Sequence, residues 1–284
     1  MVPGEAQGGQ GNRRHPLCEF SIIRYNEGVP AKIIAIANHK GGVGKTTSAR
    51  FLAEALAADG VTTVLLCDVD PHASLTKALG FNPKELKATL YDLFTGSREL
   101  SADELILPTN TRGVSLIPAS PQLAEVETQL ASKLNRERIL ARGLKPFLDS
   151  FTYVLLDCPP ALGLLNTNAL SAAHHVLIPV STDIMALNVL PGFEETVHEI
   201  QREINPELVL AGILATKHEK TEHARHMLEA LRATYKEKLF QTIIPASVTA
   251  KNTMATPESI FENDSGSSVA EAYRALVHEL TNHA

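Results

Sequence analysis

A glycine-rich segment with two lysines is the part of the sequence whose residue types most clearly indicate chemistry. It reads KGGVGKTT from Lys40 to Thr47, and His39 stands where the usual G-x-x-x-x-G-K-[ST] pattern has its first glycine. An apolar run precedes the segment and a helical pattern follows it, which is the strand–loop–helix setting of a phosphate-binding loop. The alternative is a glycine-rich turn with incidental lysines. In this setting the segment predicts a nucleotide site.

The residues of the loop have separate expected roles in that site. Its glycines let backbone N–H groups close around phosphate oxygens, and the N-terminus of the following helix adds positive potential. Lys45 can reach the β- and γ-phosphates, and Thr46 can hold Mg²⁺. We therefore expect nucleotide contacts from Gly41, Gly42, Val43, Gly44, Lys45, Thr46 and Thr47.

Three aspartates follow two further apolar runs. Asp68 and Asp70 follow the apolar residues in VLLCDVDP, and Asp157 follows those in VLLDCPP. In a parallel sheet such strands end at the same rim as the phosphate loop. We expect Asp157 to be the Walker B acid beside Mg²⁺, Asp68 to support the same metal, and Asp70 to orient an attacking water. The alternative for each acid alone is a turn residue that caps the next helix.

Alternating apolar runs and helical stretches indicate the elements that position these residues. The pattern predicts a single α/β domain of the P-loop NTPase type, with a mostly parallel central sheet flanked by helices on both faces. Residues 1–31 are expected to be a largely flexible extension with a short strand at Phe20–Tyr25, and residues 32–284 the ATPase domain. The predicted strands are Lys32–Ala37, Thr63–Cys67, Val114–Ile117, Tyr153–Asp157, His175–Val180, Val209–Thr216 and Phe240–Ile244. The predicted helices are Thr46–Asp59, Pro121–Leu134, Asn135–Ser150, Leu165–Ala173, Pro191–Ile204, Glu222–Tyr235 and Ser268–Asn282.

Composition narrows the class of protein. The 284 residues are 44% hydrophobic, enough for one substantial core, and the net charge of −6 gives no overall attraction to nucleic acid or anionic lipid. Cys18, Cys67 and Cys158 lie far apart, which fits a reducing compartment. No apolar run approaches the ~18 residues of a membrane span. We expect a soluble cytoplasmic protein.

The segments KGGVGKTT, DVDPH and LLDCPPALGLLNTNAL, in this order and at these separations, resemble the ParA/Soj partition ATPases of the deviant Walker A class, in the MinD/ParA superfamily. The likeness continues through STDIMALNVLPG, GILAT and TIIPASV. The resemblance implies ATP, ADP and Mg²⁺ as ligands, a homodimer when ATP is bound, and slow hydrolysis stimulated by a ParB-like partner. It identifies Lys40 as the signature lysine, which reaches the phosphates bound by the other subunit. It also implies adenine contacts from Thr216, Lys217, Pro245, Ala246 and Ser247.

The chain departs from the family pattern at two places. His72 replaces the glutamine of D-x-D-P-Q; this is either a tolerated surface change or one that alters hydrolysis or makes it pH-sensitive. The family's basic residues for nonspecific double-stranded DNA are missing from IPASVTAKN and FENDSGSSVAEAY. ATP-dependent DNA binding, with nucleoid association, is still expected through a substitute patch drawn from Lys217, Lys220, Arg225, Arg232, Lys236, Lys238 and Lys251.

Five other functions remain as alternatives. A MinD-like membrane ATPase would need a cationic face on the last helix, whereas Glu271 and Glu279 lie there, so no stable membrane association is expected. An iron-protein relative would need paired seam cysteines. An amidating synthetase would need added length, and a nucleotide-gated adaptor would bind ATP without turnover. A ParA-like ATPase that positions a protein cargo is equally compatible with the motifs.

Overall fold

The computed structural model describes residues 31–96, 98–183 and 186–282. The predicted strand at Phe20–Tyr25 and the predicted extension up to residue 30 lie outside these ranges. No helix within them is both long and apolar enough to cross a lipid bilayer.

Eight strands in the described ranges form one sheet. Its strand order is β3-β4-β2-β5-β1-β6-β7-β8, and every neighbouring pair is parallel except the short edge pair of β3 and β4. This arrangement confirms the predicted fold class. The strands are β1 (Lys32–Ile36), β2 (Val64–Asp68), β3 (Leu107–Pro108), β4 (Val114–Ile117), β5 (Tyr153–Asp157), β6 (His175–Ser181), β7 (Val209–His218) and β8 (Leu239–Pro245).

The central strands are apolar on both faces because helices cover both faces. Ile33 and Ala35 of β1 face one hydrophobic core, whereas Ile34 and Ile36 face the other. Successive side chains of a strand point to opposite faces, so an uninterrupted apolar run is what such a position requires.

Helices of very different length connect the strands. The longer helices overlap their predicted positions, α5 and α6 lie within longer predicted helices, and the other short helices were not predicted. They are α1 (Lys45–Ala57), α2 (Ser74–Ala78), α3 (Leu90–Thr95), α4 (Ala102–Leu105), α5 (Val126–Gln129), α6 (Ile139–Leu144), α7 (Leu164–Ala172), α8 (Ala186–Glu203), α9 (Glu222–Tyr235), α10 (Val248–Thr253), α11 (Ile260–Asn263) and α12 (Ser268–Asn282).

The predicted helices Pro121–Leu134 and Asn135–Ser150 are wrong as continuous elements. The first is a 3₁₀ turn at Pro121–Glu125 followed by α5. In the second, α6 lies between two 3₁₀ turns, Arg136–Arg138 and Lys145–Ser150. Asn135 has a positive φ of 53°, which ends one helical path and starts another.

The helix predicted from Pro191 begins five residues earlier, at Ala186. Pro191 therefore lies inside α8 and not in its first turn. A proline at this point removes one backbone hydrogen bond near the start of an 18-residue helix, and the buried side chains of Phe193 and Val197 anchor the following turns.

The last helix packs against the sheet and against α1. Val269, Tyr273 and Leu276 are buried, and the Tyr273 hydroxyl lies 3.0 Å from the Ser48 hydroxyl on α1. Glu279 accepts hydrogen bonds from two backbone N–H groups of β8, at 2.6 and 3.0 Å. The apolar face of α12 is thus used within the domain.

Candidate functional site

The phosphate loop joins β1 to α1 at the carboxyl edge of the sheet. Gly42 and Gly44 have φ values of +76° and +91°, which favour glycine. Gly44 lies directly before the helix, and its carbonyl accepts the Ser48 N–H at 2.8 Å. Thr46 and Thr47 lie in the first turn of α1. The predicted loop residues are therefore contiguous around one helix N-terminus, where backbone N–H groups and the helix dipole attract phosphate.

Lys45 is folded over its own loop. Its Nζ atom donates to the backbone carbonyl of Lys40 at 3.0 Å, and the residue is only 7% exposed. Burial lowers the pKa of Lys45, and the acidic groups of Asp157, Cys158 and Asp70 oppose this change. A phosphate beside Lys45 would stabilise its charged form, because the phosphate replaces part of the hydration that burial removes.

Lys40 has a different environment, although it lies only five residues away. Its Nζ atom is 2.7 Å from both carboxylate oxygens of Asp183, which follows β6. The Lys40 backbone N–H donates to the Asn38 side chain at 3.0 Å, and Asn38 donates to the Pro179 carbonyl at 2.8 Å. The two lysines of the loop therefore have separate partners, one within the loop and one across the edge of the sheet.

His39 packs on α8. Its ring meets the Phe193 ring edge to face, with centroids 5.8 Å apart. Burial, together with the charge of Lys45, lowers the pKa of His39. The residue in the place of the first glycine therefore supports the loop from its outer side.

Asp68 and Asp157 end neighbouring strands and are paired in the parallel register of β2 and β5. Both side chains are fully buried. Among the described residues, neither oxygen of Asp157 has a hydrogen-bond partner. Burial raises the pKa of Asp157 well above its usual range, the Asp68 carboxylate adds to the rise, and Thr46 and Lys45 oppose it. A buried carboxylate that makes no regular hydrogen bond, and whose pKa is lowered by the Thr46 hydroxyl, fits a hard cation such as Mg²⁺.

Asp68 differs from Asp157 because its oxygens are already occupied. Thr76 donates to Asp68 through its backbone N–H at 2.8 Å and its hydroxyl at 2.7 Å, and the Asp70 N–H donates at 3.2 Å. Burial raises the pKa of Asp68 to about 6, although these hydrogen bonds lower it. Asp68 therefore shapes the loop after β2, including the turn that carries Asp70.

Asp70 lies at the rim of the same edge. Its side chain is 12% exposed, and one of its oxygens accepts the His72 N–H at 2.9 Å. The turn closes through Ala73, whose φ of 52° is left-handed and whose N–H donates to the Asp70 carbonyl at 2.8 Å. Asp70 can thus face a ligand on the loop from the side of β2.

The residues expected around adenine lie at the carboxyl ends of β7 and β8. Thr216 donates to the Val43 carbonyl at 2.7 Å, so this side chain positions the phosphate loop. Lys217 follows with a positive φ of 50°. The Ala246 N–H donates to the His218 carbonyl at 2.9 Å, which joins the segment Pro245–Ser247 to the end of β7. The structure therefore brings this group to the same edge as the loop.

Sequence reasoning gave no separate role to Asn38, Thr76 or Asp183. Each makes a contact described above that shapes the loop or one of its acids. The available signal was position: all three follow or adjoin apolar strands whose carboxyl ends meet at this edge. Local sequence alone could not pair Lys40 with Asp183, which is 143 residues away.

Comparison with known proteins agrees with this geometry. The chain matches the AAA domain family AAA_31 over residues 31–210. It is 36% identical to the chromosome partitioning protein ParA of Myxococcus xanthus, covering 88% of this chain and 87% of that protein. It is 35% identical to the sporulation initiation inhibitor protein Soj of Bacillus subtilis, covering 88% and 98%.

Solved structures give the same fold. A cobyrinic acid a,c-diamide synthase from Mycobacterium smegmatis, solved with ADP and magnesium, is 32% identical with a TM-score of 0.76, covering 89% of this chain and 95% of that one. Its bound ligands are consistent with ATP or ADP and Mg²⁺ at the loop described above. The two lysines, the paired strand-end acids and these relatives together show that the chain belongs to the ParA/Soj type of partition ATPase, in the AAA_31 family of P-loop proteins.

Proposed function

We propose that this protein is an ATP-driven positioning ATPase that forms a nucleotide-sandwich dimer and segregates chromosome or plasmid DNA. The observation that carries the proposal is the contrast between the two lysines. Lys45 is folded onto its own loop, whereas Lys40 points across the edge to an acid, with 23% of its side chain exposed. Lys45 serves the nucleotide of its own subunit, and Lys40 exchanges Asp183 for the phosphates bound by a second subunit.

Hydrolysis uses the acids of the same edge. Thr46 and Asp157 hold Mg²⁺, which neutralises phosphate charge, while Asp68 supports them by fixing the loop after β2. Asp70 orients the attacking water. Loss of the γ-phosphate removes a contact that Lys40 makes only in the dimer, so the dimer separates after hydrolysis. Turnover is slow until a ParB-like partner stimulates it.

A test of the dimer uses light scattering after size exclusion, with ADP and with Mg²⁺–ATP. We expect the wild type to dimerise only with ATP, Asp70→Ala to hold that dimer longer, and Lys40→Ala to stay monomeric while it binds ATP. Lys133→Ala removes an exposed lysine far along the chain and should behave like the wild type. If all four proteins stay monomeric while binding ATP, an ATP-gated adaptor replaces this proposal.

Nonspecific DNA binding in the ATP state forms the second part of the proposal. The candidate cations fall at two ends of α9, which spans about 20 Å. Lys217, Lys220 and Arg225 lie at its start, near the edge where Lys251 follows β8, whereas Lys236 and Lys238 follow its end. Lys238 also pairs with Glu194 at 2.9 Å. We assign DNA contact to the first group because it lies on the nucleotide side of the sheet.

Retention of duplex DNA on a filter tests this assignment. Lys220→Glu combined with Lys251→Glu should abolish ATP-dependent retention, and the matched combination of Lys236→Glu with Lys238→Glu should leave it. Retention by the wild type should fall steeply as salt rises, because phosphate contacts release counterions. Retention that ignores salt, or equal loss in both variants, would contradict the assignment.

Two competing functions receive less support. Membrane attachment through the last helix would require apolar side chains that are already buried, among them Val269, Tyr273 and Leu276. The sequence analysis argued against a synthetase because such an enzyme would need added length. That argument is wrong, because this chain covers 95% of the solved synthase. The partition function rests instead on the likeness to ParA and Soj over 88% of the chain.

A further inference from the structure

Two donors from His72 converge on a single oxygen of Asp70. The backbone N–H of His72 donates to Oδ1 at 2.9 Å, and the ring nitrogen Nδ1 lies 2.9 Å from the same atom. The His72 side chain is 80% exposed, whereas that of Asp70 is 12% exposed. The histidine therefore covers the outer side of an acid that faces inward.

This contact distinguishes the two oxygens of Asp70. A carboxylate oxygen has two lone-pair positions in its plane, and two donors fill those of Oδ1. Oδ2 is left as the atom that can accept a proton or hydrogen bond from water. The ring also resists rotation of the carboxylate, because Nδ1 would lose its partner if the group turned.

The backbone that presents the ring is itself held in place. Lys77 on α2 donates to the His72 carbonyl at 2.6 Å, and Ala73 closes the turn onto the Asp70 carbonyl. Asp68 accepts the Asp70 N–H from the buried side. Residue 72 is thus fixed relative to Asp70 by contacts on both sides, although its side chain lies in solvent.

We propose that His72 is a positioning residue for ATP hydrolysis, which holds Asp70 with Oδ2 directed at the attacking water. This inference rests on the role of Asp70 in the proposed function. The ring donates through Nδ1–H in its charged form and in the neutral tautomer that carries this proton, so the contact does not require the charged form. An asparagine side chain can place an amide N–H where Nδ1 lies, whereas leucine has no donor. The histidine that departs from the family's glutamine therefore has a specific task in this chain.

The test is steady-state hydrolysis of Mg²⁺–ATP by the full chain, with nucleotide affinity and thermal unfolding measured in parallel. His72→Leu should lower kcat about two- to fivefold without changing KM, the range for an exposed ionic or hydrogen-bonded pair. His72→Asn should recover at least half of the wild-type kcat. Both variants should unfold at the wild-type temperature, because the ring is exposed.

The variant Asp70→Asn distinguishes failure of the positioning role of His72 from failure of the proposed role of Asp70. If it abolishes hydrolysis while His72→Leu keeps the wild-type kcat, the positioning role is refuted and the proposed function stands. The role is also refuted if His72→Asn is as slow as His72→Leu. If Asp70→Asn hydrolyses ATP like the wild type, Asp70 is not the residue that orients water, and both inferences fall.

Discussion

Replacing Asp157 with asparagine should stabilise the protein without ligand and remove its stabilisation by Mg²⁺–ATP. The carboxylate is fully buried, its oxygens have no hydrogen-bond partner among the described residues, and the Asp68 carboxylate lies beside it in the sheet. Each condition disfavours the ionised form. An amide of the same shape carries no charge, so it avoids both desolvation of an ion and repulsion from Asp68.

The size of the effect follows from the burial. An unpaired buried polar group costs about 1–3 kcal/mol and a charged one costs more. The amide keeps the first cost but removes the charge and its repulsion from Asp68, so we expect Asp157→Asn to raise the free energy of unfolding by about 2 kcal/mol. For a domain of this size that corresponds to a rise in Tm of roughly 4–8 °C. The wild type should gain about 2.7 kcal/mol when free Mg²⁺–ATP is at 100 times its Kd, and the variant should lose the magnesium-dependent part of this gain.

The pH dependence has a definite sign. The pKa of Asp157 in the folded protein lies above its value in the unfolded chain, so the folded state holds a proton that the unfolded state has lost. The resulting stability is full below pH ~4 and is lost as pH rises toward the folded pKa. Asp68, with its pKa raised to about 6, acts in the same direction over a lower range. The advantage of Asp157→Asn should therefore grow as pH rises to 8.

Urea unfolding at several pH values, with and without Mg²⁺–ATP, measures these differences. Other titrating groups cancel when the variant is compared with the wild type at each pH. Asp149→Asn changes an exposed aspartate and should stay within about 0.5 kcal/mol of the wild type. The reasoning is refuted if Asp157→Asn is less stable than the wild type without ligand, or if Mg²⁺ adds the same stability to both proteins.

Three shorter predictions concern contacts outside the metal site. Asp183→Asn removes the ion pair that holds Lys40 in each subunit. At about 0.5 kcal/mol for each of the two pairs in a dimer, the Kd of the ATP dimer should fall about fivefold. Sedimentation measures this Kd, and weaker dimerisation would contradict the prediction. Arg50 is buried, pairs with Glu54 and donates to four backbone carbonyls, so Arg50→Met should cost about 3–5 kcal/mol in urea unfolding, whereas a neutral result would contradict its structural role. Gly212→Ala forces a Cβ to 2.5 Å from an aromatic carbon at a φ of +153°, so Tm should fall by several degrees.

The sheet could be predicted from the sequence because a strand that is buried on both faces has apolar residues at every position. Each central strand is an apolar run, and the loop motif fixes which end carries ligands. The region 121–150 could not be predicted in the same way. Its apolar residues have helical spacing, but Asn135 and Pro146 divide it into short turns that pack on α7 and α3. Spacing records which side is buried, not whether the helix is continuous.

The candidate site was predictable to the extent that its chemistry is local. The loop residues and the three acids were found because each follows an apolar strand. The contacts that distinguish them depend on strand order instead: Lys40 meets Asp183 only because β6 lies beside β1. The pairing of Asp70 with His72 is local, and it is accompanied by a left-handed turn at Ala73. Alanine seldom adopts this conformation, so the sequence does not predict the turn.

The charged groups in the interior of the candidate site are desolvated, whereas those at its rim are paired with other side chains. This difference determines which groups gain free energy from a ligand. Lys45 and Asp157 are desolvated, and in the proposed function phosphate and Mg²⁺ would offset this cost for both. Lys40 and Asp70 are already paired, with Asp183 and His72. Nucleotide binding therefore draws its free energy from the interior residues, whereas changes of partner occur at the rim. In the proposed function a second subunit contacts the rim, where Lys40 exchanges Asp183 for the phosphates bound by that subunit while His72 keeps its contact with Asp70.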